Sequence, residues 1–509
     1  MPFRRLDARM LLVHPVQEAI RFLPALFGLF LTGRGGGRSP WWDVGALVVI
    51  VVWGMSRWFT TRYRISGGQI ELRTGLIFRK VIATPADRVR TVDVTAPIWH
   101  RLLGLARVDI GTGSSRATDD RIQLDALAAP VARALRAELL HRRGLEVAIG
   151  AGSAGSSDLA ADPVMGSDPR VVGDGPSMSS GPEQVLVTFD PKWIVYAPLT
   201  TSGLLTALTI WGFATQYLGN VVPQIESAVG QLAAWGVVVS AVVLLGLGLV
   251  AIATLAITAY VLSFWGFRLT RHRGGTLHVT RGLLTTRSTS LEEARIRGIE
   301  LGEPLGLRWA KASRLHAVGT GLRSGDGMES GRAWLVPPAP RRVVTEVARL
   351  VLQDATGLDA PLVAHGPAAR RRRYVRAIVP AALLAGLVTL AWWLGRAPAV
   401  VTIAAYLPLL VAPALAHDRY AALGHALTPT HVVARSGSIE RRRDVIEGAG
   451  VVGVVTRATF FQRRAGVRTV VVATAAGRQG YPILDVPVEL TDSLVVDLVP
   501  QASAFLADA

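Results

Sequence analysis

The hydrophobic pattern of the chain repeats three times, and in each repeat a pair of long apolar segments precedes a soluble stretch. The soluble stretches also align with one another. With Gly75, Gly282 and Gly437 as anchors, they match without a gap for more than thirty residues. Because repeated sequence indicates repeated structure, the pattern predicts three copies of one small domain, each held at a membrane.

Four apolar stretches are long enough to cross a bilayer, whose core of about 30 Å needs about 20 apolar helical residues. They are residues 193–225, 227–267, 377–395 and 397–416. Residues 227–267 are longer than one span requires. Only Arg396 separates the last two stretches, which therefore predict a tight helical hairpin.

The first apolar pair is weaker. Residues 41–56 are nearly long enough to span, whereas residues 16–33 contain Glu18 and Arg21, which can pair on one helix face. We interpret both as spans because they complete the repeat, and the alternative for the first is an interfacial helix. A secretory signal peptide is disfavoured because no small-residue cleavage site follows. The chain therefore predicts six transmembrane helices in three hairpins.

Cations near the ends of the spans predict the orientation, since Lys and Arg are retained in the cytoplasm. Those outside the hairpins are Arg4, Arg5, Arg9, Arg57, Arg62, Arg64, Lys192, Arg268, Arg271, Arg273, Arg370, Arg371, Arg372, Arg373, Arg376 and Arg419. The loops within the hairpins carry only Arg34, Arg38 and Arg396. Both termini and all three soluble domains are therefore predicted to be cytoplasmic.

Each soluble stretch contains short β-rich runs separated by glycine turns, which is typical of a meandering antiparallel sheet. The predicted strands are residues 63–65, 70–73, 89–94 and 107–110, then 267–269, 277–279, 296–301 and 314–318, then 426–427, 432–434, 451–455 and 469–473. Amphipathic helices are predicted at 124–143 and 341–353, whereas the third copy ends more loosely at 487–506. A curled antiparallel sheet of about seven strands with a C-terminal helix is the α+β pleckstrin-homology (PH) architecture.

Three PH-like units, each behind a membrane hairpin, resemble the YdbT-like family of bacterial membrane proteins. The motifs that carry the resemblance are Thr74-Gly75-Leu76, Arg88-Val89-Arg90 and His100-Arg101-Leu102-Leu103-Gly104. The third unit departs from the pattern, because Gly450 and Val452 stand where the first has Arg88 and Arg90. The resemblance implies a bacterial plasma-membrane location, a role in cell-envelope maintenance or stress defence, and a smaller companion membrane protein with a single PH-like domain.

The predicted domains follow from these assignments. Their bounds are 1–59 (first hairpin), 60–145 (first PH-like domain), 146–185 (linker), 186–265 (second hairpin), 266–358 (second PH-like domain), 359–417 (third hairpin) and 418–509 (third PH-like domain). Residues 150–185 are rich in Gly, Ser, Ala, Asp and Pro, a composition that predicts a disordered linker.

Composition narrows the choice of function. The net charge is +18, with 52 Arg and 3 Lys, and half of the residues are apolar. Such charge suits an anionic membrane surface or nucleic acid, and the apolar segments favour the membrane, so no nucleic-acid partner is predicted. There is no Cys, which excludes disulfides, thiolate metal sites and cysteine nucleophiles.

No motif for catalysis, phosphate binding or metal binding is present, so neither cofactor nor metal is predicted. His272 and His278 have no third ligand near them in sequence. Apart from Glu18 and Arg21, the spans lack central ionisable residues of the kind that transport pathways use. The predicted function is a non-enzymatic membrane scaffold or interaction protein. A transporter or lipid-handling protein is the alternative, a membrane enzyme is a weaker one, and oligomer formation stays open.

Basic residues recur at equivalent positions of the soluble units and predict a cationic face for membrane lipids or an acidic partner. The candidate residues are Arg79, Lys80, Arg88, Arg90, Arg101, Arg295, Arg297, Arg308 and Arg463. Arg101, Arg308 and Arg463 align in all three copies. The competing interpretation is that these arginines are ordinary solvated surface residues.

Overall fold

The computed structural model describes residues 4–5, 7, 9–10, 61–66, 69–74, 80–85, 91–111, 122–132, 134–135, 184–200, 237–272, 275–320, 332–354 and 356–499. The chain divides into two compact units. The first contains Met1–Thr188 and Gly266–Glu292, and the second contains Phe189–Trp265 and Glu293–Ala509.

Two antiparallel sheets build the first unit. The four-stranded sheet has the order β1-β2-β3-β4, and the seven-stranded sheet has the order β7-β6-β5-β11-β10-β9-β8. The strands are β1 (Arg4–Arg5), β2 (Arg62–Ser66), β3 (Gln69–Thr74), β4 (Lys80–Pro85), β5 (Thr91–Ala96), β6 (Leu105–Gly111), β7 (Ile122–Ala128), β8 (Gln184–Thr188), β9 (Arg268–His272), β10 (Thr276–Arg281) and β11 (Thr286–Glu292), and helix α1 is Ile98–Leu102. Tyr63 and Leu72 of the smaller sheet join Val108, Ile110 and Leu124 of the larger one in a single buried cluster.

The second unit contains a six-stranded sheet of order β14-β13-β12-β17-β16-β15 and a three-stranded sheet of order β18-β19-β20. These strands are β12 (Ile296–Pro304), β13 (Ala312–Gly319), β14 (Arg332–Pro340), β15 (Gly424–Leu427), β16 (His431–Ser436), β17 (Glu440–Glu447), β18 (Val451–Arg457), β19 (Val467–Thr474) and β20 (Gly480–Pro487). Val432, Ile446, Val470, Val472 and Tyr481 from both sheets share one core.

The helices of the second unit complete the fold. They are α2 (Val237–Phe264), α3 (Leu305–Trp309), α4 (Arg341–Leu352), α5 (Thr356–Asp359), α6 (Gly366–Trp393), α7 (Ala399–Ala405), α8 (Leu407–Ala421), α9 (Phe460–Arg464) and α10 (Val488–Leu498), with 3-10 helices at Pro191–Leu199, Glu293–Arg295 and Gly448–Gly450.

Three helical segments within the described residues are long and apolar enough to cross a membrane: Gly246–Phe264, Gly366–Trp393 and Ala399–Ala421. Helix α6 packs against α8. The residues buried there are small, among them Ala385 and Ala416, while large apolar side chains such as those of Leu387 and Leu410 point outward. Small residues let helix backbones approach closely in lipid, so this pair has the properties of a membrane hairpin.

The predicted strands are confirmed where the structure describes them, and α4 confirms the helix predicted at 341–353. The helix predicted at 124–143 is wrong at its start, because residues 122–128 form β7 and the described helical residues begin at 129. A β-bulge explains the error. Val108 lies opposite Leu124 and Ala106 lies opposite Leu127, so two leucines three residues apart face the same core and mimic helical spacing.

The same irregularity, in which a step of two residues on one strand matches a step of three on its partner, recurs in β14 and β20. Neither of these strands was predicted. Leu315 lies opposite Val336 and Ser313 opposite Ala339, and the β19–β20 pair repeats the pattern. The loose ending predicted at 487–506 is also wrong, since α10 is a regular helix. The C-terminal end of the predicted linker is wrong as well, because residues 184–185 belong to β8.

Several predictions about the membrane segments lie outside the described residues: spans 16–33 and 41–56, and residues 201–236 of the next two. The described start of span 193–225 is a 3-10 helix rather than an α-helix. Helix α2 gives span 227–267 an end at Phe264. The domain bounds stay predictions, but the sheets do not stop at them, because each of the two larger sheets contains strands from two repeats.

Candidate functional site

Consecutive repeats are joined edge to edge by an antiparallel strand pair, which we call a repeat junction. In the first junction β5 pairs with β11, and Thr286 lies opposite Ala96. In the second, β12 pairs with β17, and Arg441 lies opposite Glu303. The glycine-anchored alignment maps Thr286 onto Arg441 and Ala96 onto Glu303. Both junctions therefore have the same register.

A recurrent arginine connects the short helix of one repeat to the turn that begins the junction strand of the next. Arg101 of α1 donates a hydrogen bond from Nη1 to the carbonyl oxygen of Leu283 at 2.9 Å. Arg308 of α3 donates from Nη2 to the carbonyl oxygen of Ser438 at 2.8 Å. Leu283 and Ser438 each follow the anchoring glycine of their repeat. The two contacts are therefore the same contact in successive copies.

The second junction adds an ionic network around Asp418 at the end of α8. Arg308 donates to both carboxylate oxygens of Asp418, at 2.8 and 2.9 Å. Arg441 donates to Oδ1 at 3.0 Å, and the Ser438 hydroxyl donates to Oδ2 at 2.7 Å. The hydrogen bond to Asp418 is the main cause that raises the pKa of Arg308. This network ties a membrane-type helix to two repeats.

Two buried carboxylates face each other across the second junction, where Glu300 lies opposite Asp444. Burial alone would raise the pKa of Glu300, but cationic neighbours lower it. Arg332 donates to Glu300 at 2.5 and 2.6 Å. Arg478 donates to both oxygens of Asp444, at 3.0 and 2.9 Å. Burial, followed by the charge of Glu300, raises the pKa of Asp444 to about 7.

A third network anchors α6 to β20. Arg372 and Arg373 of α6 form ion pairs with the fully buried Asp485, the second at 2.6 Å. Gln462 of α9 donates to the same carboxylate at 2.9 Å. Nearby, Nε2 of His365 lies 2.9 Å from Nδ1 of His425, and burial lowers the pKa of His425 to about 4. The hairpin is thereby fixed to the third repeat.

The predicted candidate residues lie in several different elements of the two units. Arg79, Arg88 and Arg90 lie outside the described residues, and Lys80 is the first residue of β4. Arg295 lies in a 3-10 turn. Arg297 forms an ion pair with Glu447 at 2.8 Å. Their role in lipid or partner binding stays a prediction.

The three aligned arginines differ in their surroundings. Arg308 donates hydrogen bonds to Asp418 and Ser438. Arg101 is exposed and donates a hydrogen bond to the carbonyl oxygen of Leu283. Arg463 is exposed and donates at 3.3 Å to the carbonyl oxygen of Ala458, within its own repeat. The repeated alignment thus identified a junction residue.

Sequence reasoning missed Asp418, Glu300, Asp444 and Asp485, although each is an acidic residue beside arginines in the fold. Asp418 and Asp485 are far in sequence from the cations they bind. The available signal was an acidic residue inside an apolar strand pattern, as in the segment Ile299-Glu300-Leu301, because such a residue is buried only with a cationic partner.

A cationic cleft of about 550 Å³ lies at the N-terminal end of α6, facing the end of α8. It is lined by Pro367, Arg370, Arg371, Tyr374, His417 and Tyr420. Two arginines beside two tyrosines at the end of a membrane hairpin form a suitable environment for an anionic headgroup. Within the described residues, no group of three His, Asp or Glu side chains is arranged to hold a metal ion.

Two segments of the chain, residues 19–143 and 374–494, match the sequence model of the family described as Bacterial PH domain. Each combines a predicted hairpin, whole or in part, with the soluble stretch that follows it. Both segments resemble bacterial PH domains. They cover slightly less than half of the chain, and no curated protein or solved structure matches it significantly. The matches and the sheet-rich units support a membrane-associated or protein-interaction role.

Proposed function

We propose that the protein is a non-enzymatic, multi-pass scaffold of a bacterial plasma membrane, with three PH-like repeats in the cytoplasm. The observation that carries this proposal is the repeat junction, formed twice in the same register. Strand pairing joins consecutive repeats within each of the two larger sheets. Tethered modules of this kind bind partners through effective concentration even when each contact is weak.

The proposed topology has six transmembrane helices in three hairpins and places both termini in the cytoplasm. Three apolar helices and the arginines at their ends support it. The proposed partners are membrane lipids, with Arg370 and Arg371 as the best-placed headgroup contacts, and a smaller membrane protein with one PH-like domain. A role in envelope maintenance or stress defence rests on the YdbT-like resemblance.

Because the chain has no Cys, single-cysteine labelling tests this topology cleanly. Leu102→Cys, Leu284→Cys and Ala475→Cys sit at exposed positions of the three repeats. In intact cells an impermeant maleimide should leave them unlabelled and should label Arg396→Cys between α6 and α7. Labelling of the repeat positions from outside would refute the proposal. A liposome flux or lipid-transfer assay separates it from the transporter alternative, since a scaffold gives no signal.

A further inference from the structure

Two strand edges of the kind that forms the repeat junctions lack a neighbour among the described strands. A junction pairs the strand that precedes the short helix of one repeat (β5 or β12) with the third strand after the hairpin of the next repeat (β11 or β17). The equivalent of β5 and β12 in the third repeat is β18, and the equivalent of β11 and β17 in the first repeat is β4. Within the described residues, β18 pairs only with β19, and β4 pairs only with β3.

The open edge of β18 exposes side chains whose counterparts in the second junction are covered. Val455 is 56% exposed, whereas Glu300 at the aligned position of β12 is 0% exposed. Thr456 is likewise exposed, and the aligned Leu301 is buried. Val452 on the same strand is 76% exposed. An unpaired edge strand with exposed apolar side chains is a template for another strand.

The open edge of β4 has a similar character. Val81, which aligns with Ser288 of β11 and Arg443 of β17, is 54% exposed. The contact that Arg101 and Arg308 make with the next repeat also has no equivalent at the end of the array, where Arg463 turns back to its own backbone. One chain therefore presents both halves of a third junction.

We propose that a second copy of this chain completes that junction, with β18 of one copy pairing antiparallel with β4 of the next in the register of the repeat junctions. The alignment then places Thr456 opposite Val81 and Val455 opposite Ile82. Arg463 then stands at the position that Arg101 and Arg308 occupy in the two repeat junctions. This inference names a partner for the scaffold proposed above and rests on that proposal.

The membrane favours a second copy as the occupant of the edge. Under the proposed topology all three hairpins of each copy cross one bilayer, so every copy in that bilayer presents its β18 and β4 edges on the same side of the membrane. Such head-to-tail contacts use different surfaces on the two partners and generate rings or open filaments.

One pair in this register is unfavourable and predicts the sign of a substitution. Lys80 of one copy lies opposite Arg457 of the other, and like charges directly opposite each other weaken a strand pair. Arg457→Glu should therefore tighten association, by about two- to fivefold in the dissociation constant. Val455→Asp, at an exposed position, should weaken it without disturbing the fold.

Disulfide formation between two singly substituted full-length chains tests the register. Val81→Cys and Thr456→Cys, mixed in one membrane under mild oxidation, should give a covalent heterodimer, because directly opposed strand residues lie within disulfide reach. Val452→Cys in place of Thr456→Cys is the matched control, since it lies about 13 Å further along the strand. The double variant Val94→Cys/Ser288→Cys, opposed in the first junction, reports the yield of an established pair.

Equal yields for Thr456→Cys and Val452→Cys, or tightening by Val455→Asp, would overturn the proposal. Pairing of β18 with another segment of its own chain would also overturn it, and mass spectrometry of the crosslinked products detects that outcome. Failure here leaves the cytoplasmic orientation intact, because maleimide labelling tests it separately.

Discussion

The two repeat junctions share one register but differ in chemistry. In the first, Ser288 lies opposite Val94 and Thr286 opposite Ala96, while Arg287 and Asp93 each lie opposite a threonine, so no two charged residues of this register are directly opposed. In the second, Glu303 lies opposite Arg441 and Glu300 opposite Asp444, and charged networks surround the pair. The same backbone geometry therefore forms with or without directly opposed charged residues. We expect the opposed charges of the second junction to add specificity for its partner strand, as buried ionic groups do in some proteins.

The largest difference between the junctions should appear when Glu300 is removed. Glu300→Ala removes the carboxylate that pairs with the buried guanidinium of Arg332, at a cost of about 3 kcal/mol, whereas Arg478 keeps its two hydrogen bonds to Asp444. Hydrogen exchange of the β12 and β17 amides should accelerate about a hundredfold or more. Thr95→Ala, which removes an uncharged side chain of β5 in the first junction, is the control and should change exchange of β5 and β11 little. Equal effects would mean that the charges do not distinguish the junctions.

Arg308→Ala should have the next largest effect. It removes two hydrogen bonds to Asp418 and one to Ser438, worth about 2 kcal/mol in sum. The aligned Arg101→Ala removes one exposed contact and should cost about 0.5 kcal/mol or less. Thermal unfolding followed by tryptophan fluorescence compares the two. A larger loss for Arg101→Ala would contradict the assignment of the stronger contact to the second junction.

A pH effect should separate the junctions further. Burial raises the pKa of Asp444 to about 7, while an unfolded Asp titrates near 4 (about 3.9). Between these values the folded protein keeps a proton that the unfolded chain has lost. This contribution to stability is therefore complete below about pH 4 and falls as the pH rises to about 7.

Asp444→Asn removes this dependence. The thermal midpoint of the variant minus that of the natural protein should therefore increase from pH 5 to pH 8, because only the natural protein loses this contribution. Thr289→Asn, at the aligned position of the first junction, is the control and should show a constant difference. A constant difference for Asp444→Asn as well would mean that this carboxyl group does not titrate in the range that its burial implies.

The smallest effect on stability is expected at the open end of the array. Arg463→Ala removes one exposed 3.3 Å contact to its own repeat, so unfolding should change by about 0.5 kcal/mol or less. Its association with a second copy should nevertheless weaken. A destabilisation as large as that of Arg308→Ala would show that Arg463 already has a partner within the chain.

The sequence predicted the repeats, four strands of each repeat and α4, because alternation, glycine turns and a helical stripe are local signals. It did not predict β4, β11 and β17, the third strand after each predicted hairpin. It also missed β7, β14 and β20, since their bulges disturb the period of two that identifies a strand. The pairing of β5 with β11 was also invisible. Thr286 and Ala96 are 190 residues apart in sequence, and their strands meet only at sheet edges. Pairing between sheet edges produces no periodic pattern in the sequence.

The candidate site was predicted only in part, because most of its contacts also join residues that are far apart in sequence. Alignment identified Arg101, Arg308 and Arg463 as equivalent, which the junction contacts explain for the first two. It could not reveal that Arg372 and Arg373, counted only as topology signals, form buried ion pairs with Asp485. Charge pairing over long sequence separation depends on the fold and has no local pattern.

The most direct test of the account is a disulfide across the first junction in the full chain. Val94→Cys and Ser288→Cys should crosslink in native membranes, and cleavage at a protease site inserted within residues 150–183 should leave the two fragments covalently joined. The contradicting result is separation of the fragments together with efficient crosslinking of a shifted pair, Val94→Cys with Thr286→Cys.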